Sequence, residues 1–185
     1  MSRIIAGQFG GRRLRTPAGA DTRPTTDRTR EGLFSSLEAT ADLTEGPFLD
    51  VYAGSGAVGL EALSRGAPAA YFIERARPAL AAIEANIAAL QVASRATVLA
   101  LPAESAARAL RDVAATTAYV DPPYDVPPGE VSGVLAALAE HDALAVDATV
   151  VIERARREDW TWPTGFEALR DRRYSEARLW YGRRL

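Results

Sequence analysis

From Pro47 onward the chain repeats one hydrophobic pattern: a short apolar run, a turn rich in glycine or acid, then a longer stretch with apolar residues three and four apart. Short β-branched runs bounded by turn residues predict strands, and the 3.6-residue spacing predicts helices. Strands are expected over 48–52, 69–73, 96–101, 117–121 and 148–153, with helices over about 57–65, 78–91, 103–114 and 129–140 between them. Pro78 suits the first turn of its helix, and Gly66 suits the stop of the preceding one. Strictly alternating strands and helices are the pattern of a parallel sheet covered on both faces. After Pro163 the runs Phe166–Leu169 and Arg178–Tyr181, on either side of 170–177, predict a closing antiparallel pair, which makes seven strands.

The first forty residues read differently. Residues 3–16 alternate loosely around Gly10-Gly11, which predicts a hairpin, and residues 17–24 form a loop. Thr25, Thr26 and Asp27 offer N-caps to a helix through about Ala39, with Leu33, Phe34 and Leu37 as its apolar stripe. The expected division is an N-terminal extension over 1–40, made of hairpin, loop and helix, and an α/β domain over 41–185.

A length of 185 residues with 48% hydrophobic content suits one domain with a substantial core. The absence of cysteine excludes disulfides, thiolate metal sites and any route that needs a thiol nucleophile. No segment resembles a signal peptide or a membrane span, so a cytoplasmic protein, without a metal and without membrane attachment, is expected. The net charge of -2 conceals a pattern. Residues 1–30 hold seven Arg against two acids, residues 31–153 six Arg against seventeen acids, and residues 154–185 nine Arg against five acids. Basic ends around an acidic middle point to a polyanion held by the termini.

Gly54-Ser55-Gly56-Ala57-Val58-Gly59 fits the glycine fingerprint of a dinucleotide site, and Glu74 lies where a ribose-binding carboxylate belongs. Asp50 argues against a dinucleotide. It ends the first strand of the α/β unit, and a carboxylate in that crevice repels a pyrophosphate, whereas S-adenosylmethionine (SAM) brings an ammonium and a sulfonium. Gly54 and Gly56 then admit the amino-acid end of the cofactor, Asp50 faces its ammonium, Glu74 its ribose hydroxyls, and Ala103 or Glu104 its adenine. Tyr52, Ser55 and Arg75 stand beside these in the same expected site. An oxidoreductase is disfavoured further because the chain has no lysine for a Tyr-Lys pair. His141, alone beside Asp142, is read as structural or exposed.

Asp121-Pro122-Pro123-Tyr124 closes another predicted strand, so it should meet Asp50 at the carboxyl ends of the sheet. Asp121 and the Pro122 carbonyl can accept from an exocyclic amino group, and Tyr124 offers a flat face to its ring. Together these motifs read as methyl transfer to a planar nitrogen, with an adenine-N6 methyltransferase or a non-catalytic RNA-binding assembly factor as the alternatives.

The segments Arg3-Ile4-Ile5-Ala6-Gly7, Arg23-Pro24-Thr25-Thr26-Asp27-Arg28, Arg30-Glu31, Asp50-Val51-Tyr52-Ala53-Gly54-Ser55-Gly56 and Asp121-Pro122-Pro123-Tyr124 together resemble the RsmD-type 16S rRNA guanine-N2 methyltransferases, over nearly the whole chain. The resemblance implies a Rossmann-like class I SAM-dependent methyltransferase with a mostly parallel seven-stranded sheet and a small N-terminal hairpin and helix extension. It implies action on N2 of one guanine of 16S rRNA in the small ribosomal subunit, and a monomer is expected. Arg3, Arg12, Arg13, Arg15, Arg23, Arg28 and Arg30, with Thr25 and Thr26, would then contact the RNA. Pro102 stands where relatives commonly carry Asp or Asn, so adenine contact falls to Ala103 and Glu104.

Overall fold

The computed structural model describes residues 2–17, 27–174 and 176–185. Each apolar run after Pro47 forms a strand, and each amphipathic stretch a helix. In chain order these are β3 (Phe48–Val51), α2 (Ala57–Ser64), β4 (Ala70–Glu74), α3 (Arg77–Leu90), β5 (Ala96–Ala100), α4 (Ala103–Ala109), β6 (Ala115–Val120), α5 (Pro128–Glu140) and β7 (Leu144–Ala155), followed by β8 (Phe166–Arg173) and β9 (Ala177–Arg184). Before them lie β1 (Ser2–Arg3), β2 (Arg13–Leu14) and α1 (Asp27–Glu38).

The seven-stranded sheet has the order β5-β4-β3-β6-β7-β9-β8. Strands β3 to β7 are parallel, and β9 joins antiparallel to both β7 and β8. The chain steps outward from β3 through β4 to β5, then returns to the other side of β3 with β6. The order therefore reverses between β3 and β6, where Val51 lies level with Val120. Ligands of open α/β sheets bind beyond the strand ends at such a switch.

Successive strand residues face opposite ways. Phe72, Tyr119, Val151 and Tyr181 pack with Leu33 and Phe34 of α1, Leu60 and Leu63 of α2 and Ile83 of α3, while Ile73, Val120 and Ile152 pack with Ala106 of α4 and Leu135 of α5. The N-terminal hairpin joins the first of these layers through Ile4 and Leu14. Its backbone is fastened by the buried Glu61 of α2, which accepts from the Ile5 and Ala6 N–H groups at 2.7 and 3.0 Å.

Several boundaries differ from the sequence expectation. The fourth helix stops at Ala109 rather than 114, because Asp112 and Ala114 adopt left-handed backbone (φ 61° and 50°) and the chain pairs with the end of α5 instead, Ala115 N–H donating to the Ala143 carbonyl at 2.9 Å. Strand β7 extends beyond 148–153 at both ends, with a register shift opposite Ala115–Thr117. The closing pair is also longer: the charged run from Arg170 to Arg173 forms part of an edge strand, paired as far as Arg173 with Arg178. Charged residues on an exposed edge are compatible with a strand and resist edge-to-edge association. The hairpin over 3–16 keeps only two residues in each strand and a helical turn at Gly7–Phe9.

Candidate active site

The loop after β3 starts with strain. Tyr52 has φ 63°, uncommon for a side-chain-bearing residue, and Gly54 and Gly56 follow at 56° and 75°. A Cβ on Gly54 would project into open space, so the loop backbone is bare on that side, whereas Gly59 one turn into α2 lies directly against the Phe72 ring. The loop therefore packs tightly below and is open above.

Two carboxylates hold it. Asp50, 2% exposed, turns beneath the loop and accepts from the Gly59 N–H at 2.8 Å, satisfying one of the orphan donors in the first turn of α2. This corrects the expectation that its side chain points into the open crevice: the carboxylate is turned to the first turn of α2, beneath the loop. Burial pushes its carboxyl up to about 7 against the lowering effect of the Gly59 bond, with the Glu74 charge adding and the Arg30 charge opposing. Glu74, at the end of β4, accepts from Gly54 N–H at 2.9 Å with one oxygen and from Arg75 and Ala76 N–H at 2.7 and 2.8 Å with the other. The Ser55 carbonyl accepts from Asn86 of α3 at 3.0 Å. The Tyr52 hydroxyl, buried without a partner among the described residues, lies under the influence of Glu104, Glu130, Arg75 and Arg154; burial first, then the two acids, pushes it up to about 12. Ala103, buried, and Glu104, exposed, open α4, with Pro102 as its N-cap.

Asp121 leaves β6 beside this loop, its N–H donating to the Val51 carbonyl at 3.2 Å. Two prolines then keep the backbone extended and supply no N–H of their own to compete for the carboxylate. Pro122 is buried, Pro123 exposed, and Tyr124 half-exposed at 50%. The chain turns back only at Val126, whose N–H donates to the Pro123 carbonyl at 3.0 Å. Arg154, at the end of β7, donates to the Val126 carbonyl at 3.1 Å and to Glu158 at 2.7 Å, pinning the loop from below. On the other face of the sheet, Tyr119 donates to the buried Glu153. Neither Arg154 nor this pair figured in the sequence reading. An acid–arginine pair, Glu153-Arg154, directly after the run from Thr149 to Ile152 was the available signal for Arg154.

The expected RNA-contact arginines divide. Arg23, Thr25 and Thr26 lie outside the described residues. Arg30 is corrected to an interior residue: fully buried, it donates to the Arg3 carbonyl, to Ser2 at 3.3 Å and to Asp27 at 3.0 Å, with Glu61 at 3.8 Å. Arg12 donates to the Ala89 carbonyl at 2.9 Å in the last turn of α3, at the end of the sheet away from Asp121. Arg3 is exposed but pairs with Asp27 at 3.6 Å. Arg13, Arg15 and Arg28 are exposed, and the Arg15 backbone exchanges bonds with Asn86 of 2.7 and 3.0 Å, close behind the glycine loop. His141 caps α5 and meets Arg111 at 2.9 Å. A cleft of about 420 Å³ between residues 38–44 and Arg65 lies at the far end of α2 and is separate from this crevice.

The sheet order, the strained glycine loop and the acid-proline turn at the switch point define a Rossmann-like methyltransferase fold. Residues 2–183 match the family model described as Conserved hypothetical protein 95. The ribosomal RNA small subunit methyltransferase D of Escherichia coli is 38% identical over 151 residues, 82% of this chain and 73% of that protein. The Bacillus subtilis protein titled "Putative rRNA methyltransferase YlbH" is 35% identical over 83% of both chains. A solved structure titled "Putative methyltransferase yhhF from Escherichia coli" superposes with a TM-score of 0.84 at 33% identity, covering 99% of this chain and 97% of that one. The chain belongs to this RsmD family.

Proposed function

We propose that the protein transfers a methyl group from SAM to the exocyclic N2 of one guanine in 16S rRNA of the small ribosomal subunit. The observation that carries this reading is the meeting of an acid-held, open glycine loop with Asp121–Tyr124 at the switch between β3 and β6. Membership of the RsmD family and the name of the Escherichia coli relative support ribosomal RNA as the substrate.

The donor set fits a cationic cofactor. Carboxylates from Asp50 and Glu74 sit under and beside the bare loop, a poor place for a pyrophosphate and a good one for an ammonium. Glu74 keeps acceptor capacity for ribose hydroxyls, and Ala103 and Glu104, which open α4, are assigned to the adenine. SAM supplies an electrophilic methyl carbon on a sulfonium.

Asp121 and the Pro122 carbonyl accept the two N2 hydrogens, which aims the nitrogen lone pair across the crevice, and Tyr124 stacks on the ring of a guanine splayed out of its loop. As the nitrogen–carbon bond forms, the carbon–sulfur bond breaks and its electron pair stays on sulfur as a neutral thioether. The proton released from nitrogen passes to Asp121. No thiol takes part, since the chain has none. Arg13, Arg15 and Arg28 meet phosphates, which positions the RNA without reading its bases.

Incubation with labelled SAM and small subunits from a strain lacking the enzyme, followed by mass spectrometry of nucleosides, tests the reading. One N2-methylguanosine is the expected product. N6-methyladenosine would replace the base assignment, and cofactor binding without methyl transfer would favour an assembly factor.

A further inference from the structure

The nine arginines of residues 154–185 are not one population; Arg156, exposed, donates its backbone N–H to the Glu176 carbonyl at 2.8 Å and is set apart from the groups that follow. At the end of the sheet away from the crevice, Arg183 pairs with Glu167 at 2.5 Å and Asp147 at 3.8 Å, and Arg184 with Asp142 at 2.9 Å. Along the strands, Arg170 lies on the Tyr181 ring at 4.7 Å and donates to Ser36, while Arg178 covers Trp180 at 3.7 Å and pairs with Asp171 and Asp159. Arg154 is buried against Glu158. Arg157, Arg172 and Arg173 are exposed and make no ion pair among the described residues. All three lie where β7 ends and β8 ends, which is the crevice end of the sheet.

Their placement relative to Asp121 follows from register. Val120, the last residue of β6, lies level with Ile152, and β7 runs three residues further to Ala155, a rise of roughly 10 Å. Strand β8 is three positions from β6, about 14 Å to the side. The three residues thus form a ridge along the rim of the sheet beside and above Asp121–Tyr124, with Arg172 turned toward α1 and Arg173 toward the opposite face. Arg172 also borders a cleft of about 210 Å³ against Gly32, Ser35 and Ser36 of α1, so the ridge continues toward the helix that carries Arg28.

We infer that Arg157, Arg172 and Arg173 form a second phosphate-gripping surface, which together with Arg28 holds the RNA on the β8 side of the flipped guanine while Arg13 and Arg15 hold the other. The inference rests on the RNA substrate proposed above. At the far end Arg183 and Arg184 are both neutralised, whereas at the crevice end Arg154 and Arg178 are paired and Arg157, Arg172 and Arg173 stay open to a polyanion docking over the crevice.

The test replaces all three (Arg157→Gln, Arg172→Gln, Arg173→Gln) and measures binding to small-subunit rRNA at several salt concentrations, beside an Arg108→Gln, Arg111→Gln control on and after α4. The expected result is a fall of about 2–3 in the log–log salt slope, at about 0.7–0.9 per lost phosphate contact. Substrate KM should rise, with kcat at saturation, SAM affinity and melting temperature kept, and the control should behave as wild type. An unchanged slope in the triple variant, with a normal slope in wild type, overturns the inference and leaves the RNA reading standing. Absence of salt-dependent rRNA binding by wild type overturns both.

Discussion

The two loops that meet over the sheet are held in opposite ways. The glycine loop is fastened from three elements, by Glu74 from β4, Asp50 from β3 and Asn86 from α3. The Asp121–Tyr124 loop rises from β6 with Arg154 anchoring its far side and presents a half-exposed ring. A preorganised cofactor side acts with little rearrangement. In the proposed reading, the Asp121–Tyr124 side receives a base that a much larger RNA delivers.

The contrast breaks most sharply at Asp121. Asp121→Ala should lower kcat by about 10²–10³-fold, the scale of losing one preorganised polar group, while SAM affinity measured by calorimetry stays near wild type. A variant keeping more than a tenth of the wild-type rate contradicts the assignment. Glu74→Ala should do the reverse, weakening SAM binding by about 10–100-fold as three N–H groups lose a charged acceptor, with less effect on the rate at saturating cofactor. For Tyr124→Ala the loss falls on substrate, roughly 1–3 kcal/mol of stacking, and Tyr124→Phe should recover it. If Phe fails to rescue binding, the hydroxyl rather than the ring carries the contact.

The smallest effect is a pH dependence of the cofactor side. Ionised Asp50 favours a cation, so SAM affinity should rise with pH through about 7 and fall by up to about tenfold per unit below it. Between the ordinary carboxylate value and about 7 the folded chain holds a proton that the unfolded chain has released, so stability falls as pH rises across that window. Asp50→Asn should flatten both profiles; thermal melting and calorimetry across pH 5–8 check them.

Much of this was legible in the sequence because the fold repeats a local signal. Each strand–turn–helix unit carries its own period, and the positions of Asp50 and Asp121 at strand ends follow from it directly. What escaped was set by distant contacts. Arg30 lies three and four residues before Leu33 and Phe34, on the apolar stripe itself, so helical spacing already pointed it inward; its charge suggested the opposite, and its partners Asp27, Ser2, the Arg3 carbonyl and Glu61 explain how a buried guanidinium is satisfied. The early stop of α4 carried no glycine or proline, since Asp112 and Ala114 take left-handed backbone for the sake of bonds to residues 141–143. Arg154 acts on a loop 28 residues upstream, a relation that no window along the chain contains.

Glu61 has one more consequence, which concerns time rather than space. The Ile5 and Ala6 N–H groups find their acceptor 56 and 55 residues later, on a helix that follows β3 in the chain. During synthesis the N-terminal hairpin therefore emerges first and docks late, with no seat until α2 has left the exit tunnel. A protein whose proposed target is the ribosome is itself made on one, and its N-terminal arginines are synthesised before the carboxylate that seats their hairpin.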